Sequence, residues 1–233
     1  MTTMGASIAR RAAGTAASML QIVGGWAALL VGAIMVAEVI VFIAVLPGLG
    51  FQTSYFTDPP KFVTFVTQEQ GLYLSVGLLM LLASFAVVVV VTALHERLEH
   101  ADRSLSRMAL AFGYAGAVLL ILNAFFQWAE FRHILADPRA FAEQSVPFGA
   151  VMFDLTNISA SLALALWIAL VSWSAIRAGF LPRAVAYLGL LAALALATQL
   201  IGVQVGSVIE AAWFLAIGAV LVVARSPAPE AQR

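Results

Sequence analysis

Three acidic residues lie inside otherwise apolar stretches of this 233-residue chain: Glu38, Asp154 and Glu210. An ionised carboxylate in hydrocarbon costs about 2.5 to 3.5 kcal/mol on insertion scales, so intramembrane acids are by default candidates for a functional site. No lysine or arginine lies within the same apolar stretches to neutralise them. These carboxyl groups must therefore be protonated, hydrated or bound to a cation.

Further polar side chains are predicted to lie at a similar depth, near one surface of the membrane. Asn123, Gln127 and Glu130 follow the spacing i, i+4, i+7, which is one stripe of a helix. Asp154 and Asn157 belong to a comparable stripe with the spacing i, i+3. The complete set of candidate ligand-binding residues is Glu38, Asn123, Gln127, Glu130, Asp154, Asn157, Gln199, Gln204 and Glu210.

One outward-facing acidic pocket shared by several helices is the simplest explanation, because the acids would otherwise face lipid tails. Such a pocket would bind or transport a cation, a proton or a small amphipathic ligand. Alternatively, the same groups are structural glue that bonds across helices, at about 0.6 kcal/mol per contact. A third reading is an intramembrane enzyme that acts on a lipid or quinone, with the carboxylates as metal ligands or acid–base groups. The sequence identifies no cofactor and leaves both catalysis and metal binding open.

The elements that must position these residues are membrane-spanning helices. The chain is 63% hydrophobic and only 10% charged, against about 25% charged residues in soluble domains. A helix that crosses the hydrocarbon core needs roughly 20 mostly apolar residues. Six stretches qualify, and they predict an all-α, polytopic bundle of six transmembrane helices at residues 22–46, 72–94, 108–128, 148–176, 184–203 and 205–223.

Arginine placement predicts the orientation of this bundle. Alternate connections hold very different numbers of basic residues, and the cytoplasmic side is the one that carries the excess. One side has only Lys61, Arg132 and Arg139. Both termini are therefore predicted to be cytoplasmic, in the inner membrane of a bacterium. The opposite side carries Arg10, Arg11, Arg97, Arg103, Arg107, Arg177, Arg183, Arg225 and Arg233.

Two short segments on the outer side begin like capped helices. Asp58 precedes Pro59, and Asp137 precedes Pro138, so each aspartate is placed as an N-cap with proline in the first turn. Each segment is expected to lie at the membrane interface. Between helices three and four, Arg132 is expected in the outer loop, from which it could reach the acids.

Composition also excludes several classes of protein. Twelve basic residues balance twelve acidic ones, so the chain has no electrostatic footprint for nucleic acid. The absence of cysteine excludes disulfides and thiolate metal sites. Residues 1–225 are predicted to form one transmembrane domain and residues 226–233 a disordered cytoplasmic tail. The expected partners are the lipid bilayer and another membrane protein or a second copy of the chain.

The chain resembles the bacterial membrane family catalogued as domain of unknown function 4386. The resemblance rests on the short basic turn from Arg177 to Arg183, on the basic turn from Glu96 to Arg107, and on the helix that follows from Met108. It implies a six-helix protein of the bacterial inner membrane and supplies no activity.

Overall fold

The computed structural model describes residues 2–99, 101–143, 148–198 and 206–223, with side chains from residue 19 onward except 148–150 and 153. Every regular element within these residues is helical. Five segments are long and apolar enough to cross a membrane, and Arg183–Ala197 is a shorter apolar helix. The all-α fold of a multi-pass membrane protein is thus confirmed, while the count of six crossings and the side of the termini stay predictions. The predicted tail, residues 226–233, lies outside the described residues.

The first four long helices extend beyond the predicted stretches, whereas the described parts of the last two end or begin within them. Helix α1 continues into a π-helical turn, Val41–Val45, and a last helical turn, Leu46–Gly48. A 3₁₀ turn, Thr53–Thr57, leads into the short helix α2. The helices are α1 (Thr2–Ile40), α2 (Pro59–Gln68), α3 (Gln70–Glu99), α4 (Arg103–Ala136), α5 (Pro138–Ala142), α6 (Phe148–Ala178), α7 (Arg183–Ala197) and α8 (Gly206–Val223).

The six longer helices pack as a closed ring. Each contacts the next in the order α1, α3, α4, α6, α7 and α8, and α8 returns to α1. Helix α6 also reaches across to α8, where the rings of Trp167 and Trp213 meet at 5.6 Å. Trp167, Trp213 and Phe214 are at most 1% exposed. These aromatic side chains fill the centre of the ring and fix its packing.

Glycine lets neighbouring helices approach closely, as is typical of membrane bundles. A Cβ atom on Gly24 would collide with the side chain of Ala93 at the contact of α1 and α3. A Cβ atom on Gly113 would lie 2.7 Å from the side chain of Val91 on α3 and 3.0 Å from the Trp167 ring on α6. These glycines therefore serve as packing positions between neighbouring helices.

A cap covers one end of the ring, and we call that end the cap side. Both predicted helix starts are confirmed: the Asp58 carboxylate accepts a bond from Lys61 N at 3.4 Å, and Asp137 accepts one from Ala140 N at 3.0 Å. Helix α2 packs on α4 and α5. A small hydrophobic cluster joins the three helices and consists of Val63, Val66, Phe131, Ile134 and Phe141.

The expectation that Arg132 lies in an outer loop is wrong. Helix α4 runs on to Ala136, about two turns beyond the predicted end at residue 128. Phe131 and Ile134 are buried against the cap, and this apolar contact stabilises the extra turns. The Arg132 guanidinium lies over the Trp128 ring at 5.6 Å, so the structure gives it an aromatic partner at the end of a helix.

Candidate functional site

Glu38 of α1 and Glu210 of α8 form an acidic pair in the interior of the bundle. Glu210 is only 6% exposed and Glu38 is half-buried. The two helices that carry these carboxyl groups pack against each other, and Glu38 is a charged neighbour of Glu210. Of the predicted acids, this pair is the one that the structure brings together at a buried helix contact.

Small residues on α1 and α8 hold the pair in register. A Cβ on Gly25 would lie 3.0 Å from the backbone of Val222, and a Cβ on Gly32 would lie 3.0 Å from the carbonyl oxygen of Ala211. The later residue of α1, Gly32, thus lies beside the earlier residue of α8, Ala211, so the two helices are antiparallel. Glu38 lies less than two turns beyond Gly32 along α1, which places it at about the level of Glu210 near the start of α8.

The backbone is irregular directly after Glu38. The π-helical turn Val41–Val45 begins three residues later, and a turn that contains Pro47 follows it. Single π-turns inside α-helices are frequent at functional sites, because they change the direction in which side chains point. The position of this π-turn therefore supports a functional role for the cap-side end of α1.

Among the described residues, the ion pairs lie elsewhere. Lys61 pairs with Asp58 at 2.7 Å in the cap, and Arg103 pairs with Glu99 at 3.6 Å at the opposite end of the ring. The hydrogen bond and charge of Lys61 hold the pKa of the Asp58 carboxyl below its usual value. Neither cation pairs with an acid inside the bundle, so within the described part of the chain Glu38 and Glu210 have no salt-bridge partner.

A second polar group lies between α3, α4 and α6 on the cap side. The Tyr73 hydroxyl donates to the Glu130 carboxylate at 3.4 Å, and Tyr73 and Gln127 line the same small space. Glu130 and Asp154 are near enough to interact electrostatically. The stacked ring of Phe131 lies 5.5 Å from Tyr73 and connects this group to the cap.

Asn123 makes a direct contact between α4 and α6. Its Nδ2 donates to Thr156 Oγ1 at 3.0 Å, and Asn123 is fully buried. The Thr156 hydroxyl donates in turn to the carbonyl oxygen of Met152 at 2.7 Å. This contact has the form of the interhelical bonds that stabilise membrane bundles.

The predicted residues therefore fall into two groups on different helix pairs. Asp154 is exposed and Asn157 half-buried, and both belong to the α4–α6 side. Gln199 and Gln204 lie outside the described residues. Within the described ranges, no three His, Cys, Asp or Glu side chains are grouped so that they could hold a metal ion. That one pocket joins both groups stays a prediction.

A cavity of about 170 Å³ lies in the cap and is lined by uncharged side chains and Lys61. None of the predicted ligand-binding residues lines it. A much smaller space, about 10 Å³, lies beside Tyr73 and Gln127, and it is about the size of one water molecule.

Sequence reasoning missed two residues of the polar groups. Tyr73 could have been identified from the sequence, because a tyrosine just inside the end of a membrane helix needs a hydrogen-bond partner for its hydroxyl when it is buried. Thr156 carries no such signal, since threonine in a membrane helix commonly bonds its own helix backbone.

Comparison with known proteins identifies the family of the chain. No curated protein and no solved structure matches it. Residues 30–226 match the family described as domain of unknown function (DUF4386), and this range includes Glu38, Glu130, Asp154 and Glu210. The match covers most of the chain and agrees with the resemblance in its basic turns. The chain therefore belongs to the DUF4386 family.

Proposed function

We propose that this protein is a multi-pass membrane protein that binds a proton or a small cation between Glu38 and Glu210, on the cap side of the bundle. The observation that carries the proposal is the burial of Glu210 beside a second carboxyl group. Two adjacent carboxylates in an apolar interior cannot both be ionised without a counterion. The pair therefore holds at least one proton, or a cation, when the protein is folded.

The topology proposed for this activity follows the arginine distribution. Six crossings with both termini in the cytoplasm place the cap, and with it the acidic pair, toward the outside of a bacterial inner membrane. Proton or cation binding there would serve transport or a larger membrane assembly. A membrane-protein partner or a second copy of the chain remains part of the proposal.

An enzyme that uses the same carboxylates has less support. A catalytic zinc site uses three protein ligands, and the described residues offer no group of three His, Cys, Asp or Glu side chains. Acid–base chemistry by a carboxyl pair alone would still require a bound lipid or quinone beside Glu210.

Carbodiimide labelling tests the proposal. Dicyclohexylcarbodiimide partitions into membranes and converts a protonated carboxyl group into a stable N-acylurea, which peptide mass spectrometry locates. We expect labelling of Glu38 or Glu210 in the reconstituted protein at neutral pH, and more of it as the pH falls. Exposed Glu99, which pairs with Arg103, provides the internal control and should stay unlabelled.

A cation-binding pair makes a further, separable prediction. Sodium or potassium ions would protect Glu210 from labelling at constant pH and ionic strength, whereas a site for protons alone would be insensitive to them. Absence of labelling at both glutamates, with or without cations, would contradict the proposal. The Glu210→Gln variant must lose the labelled α8 peptide.

A further inference from the structure

The α6–α7 hairpin, at the end of the bundle opposite the cap, carries two exposed arginines and two exposed aromatic residues. Arg177 lies in the last turn of α6 and Arg183 begins α7, and Gly179 makes the turn between them with a φ of +73°. Trp173 is 51% exposed and Tyr187 is 58% exposed. Each aromatic residue is one helical turn from the arginine on its own helix.

Packing of the hairpin aligns these residues in pairs. A Cβ on Gly189 of α7 would overlap the side chain of Ser172 on α6, so these two residues lie at the same level of the hairpin. Because α6 and α7 are antiparallel, Trp173 is about level with Tyr187, and Arg177 is about level with Arg183. The two guanidinium groups thus share one level, and the two rings share a level one turn, or about 6 Å, deeper in the membrane.

All four side chains are exposed, so none of them contributes to the packed core. Within the described residues, neither Arg177 nor Arg183 has a carboxylate at salt-bridge distance. Asp102 is near enough to interact with Arg177 electrostatically, and its pKa is lowered, first by the backbone N–H of Leu105 and in small part by Arg177.

We infer that this surface, formed by Trp173, Arg177, Arg183 and Tyr187, binds a phospholipid with an anionic headgroup. The two guanidinium groups match the charge and the forked hydrogen-bonding geometry of a phosphate. The rings lie where the glycerol and upper acyl chain of that lipid run, and tryptophan and tyrosine favour this zone of a bilayer. Charge complementarity thus selects an anionic lipid over a zwitterionic one, and the rings select a lipid over free phosphate.

Fluorescence quenching by brominated lipid tests the inference in the full chain. The protein is reconstituted into phosphatidylcholine vesicles that contain a minor fraction of brominated phosphatidylglycerol or, separately, brominated phosphatidylcholine. We expect stronger quenching by the brominated phosphatidylglycerol at low salt, with a binding preference of about fivefold for each arginine. Inorganic phosphate at the same ionic strength should not compete.

Matched variants assign the signal. Trp173→Leu should remove the difference between the two lipids, whereas Trp26→Leu, at an exposed position on α1, should retain it. The double variant Arg177→Gln/Arg183→Gln should lose the preference, while Arg139→Gln, on the cap side, should keep it. Equal quenching of the native protein by both lipids would overturn the inference without reference to any variant, and so would a preference that survives in the arginine double variant.

Discussion

The backbone of Gly218 lies directly against the backbone of Gly25. A Cβ atom on Gly218 would come within 2.8 Å of the Gly25 carbonyl oxygen and within 2.8 Å of the Leu29 backbone nitrogen. These are backbone atoms, which cannot move aside as a flexible side chain can. The contact between α1 and α8 that carries Glu38 and Glu210 therefore depends on the absence of a side chain at residue 218.

We predict that Gly218→Ala destabilises the protein by about 1 to 3 kcal/mol, the usual cost of overpacking. Thermal unfolding in detergent, followed by loss of the monodisperse fraction, measures the change. Gly71→Ala is the matched control, because a Cβ at residue 71 meets nothing within 4 Å. Equal stability of the two variants would show that α1 and α8 do not pack as closely as described.

The chain contains no cysteine, so introduced cysteines report on distance without further changes. We predict that Glu38→Cys/Glu210→Cys forms a covalent link with a short bifunctional thiol reagent in intact membranes. Glu38→Cys/Glu99→Cys should not, because Gly24 contacts Ala93 and Glu99 thus lies at the far end of the ring. If only the control pair became linked, the antiparallel register of α1 with α8 would be wrong.

The hydrogen bond between Asn123 and Thr156 should contribute modestly to stability. Double-mutant cycles of such bonds in membrane bundles average about 0.6 kcal/mol, and we predict this coupling for Asn123→Leu combined with Thr156→Val. Unfolding of the native protein, both single variants and the double variant gives the coupling energy. Strict additivity of the two single changes would mean that the contact contributes nothing measurable.

The prediction of the fold from sequence succeeded where apolar length alone decides the outcome. Five long helices have the composition of membrane spans, and both aspartate caps are in place. It failed at the end of α4, because burial of Phe131 and Ile134 depends on the cap, which is distant in sequence. Residues in that position cannot be distinguished from a loop by their own hydropathy.

The site was only partly predictable for a related reason. Depth along a helix follows from counting residues, which is how Glu38 and Glu210 were selected. Counting residues does not show which helices are neighbours in the ring, since that depends on how the helices pack. Glu130 and Asp154 lie on α4 and α6, a different helix pair from the one that carries Glu38 and Glu210, and their membership of the same pocket stays a prediction.

Asp102 should make stability depend on pH in the acid range. Its carboxylate accepts bonds from Leu105 N at 3.1 Å and Ser104 N at 3.0 Å at the start of α4, and these bonds hold the Asp102 pKa below its usual value. A lowered pKa contributes stability that is present above the ordinary value of about 4 and is lost as the pH falls through the lowered one.

We therefore predict that the native protein loses stability relative to Asp102→Asn as the pH is lowered below about 4. Asparagine is the matched substitution, because it keeps an N-cap oxygen without a titrating group. Unfolding in detergent across this pH range measures the difference between the two proteins. A constant difference would mean that the Asp102 carboxylate is not held in its charged form by the helix start.

The most direct measurement of the central claim is an infrared titration of the carboxyl groups in the reconstituted protein. Our account predicts a protonated carboxyl C=O band at neutral pH that decreases in the Glu38→Gln/Glu210→Gln variant. If bound cations replace the proton, the band decreases on adding sodium or potassium ions and returns when they are removed. A native spectrum without this band under any cation condition, or a band that the double variant retains in full, would contradict the claim that Glu38 and Glu210 share a proton or a cation.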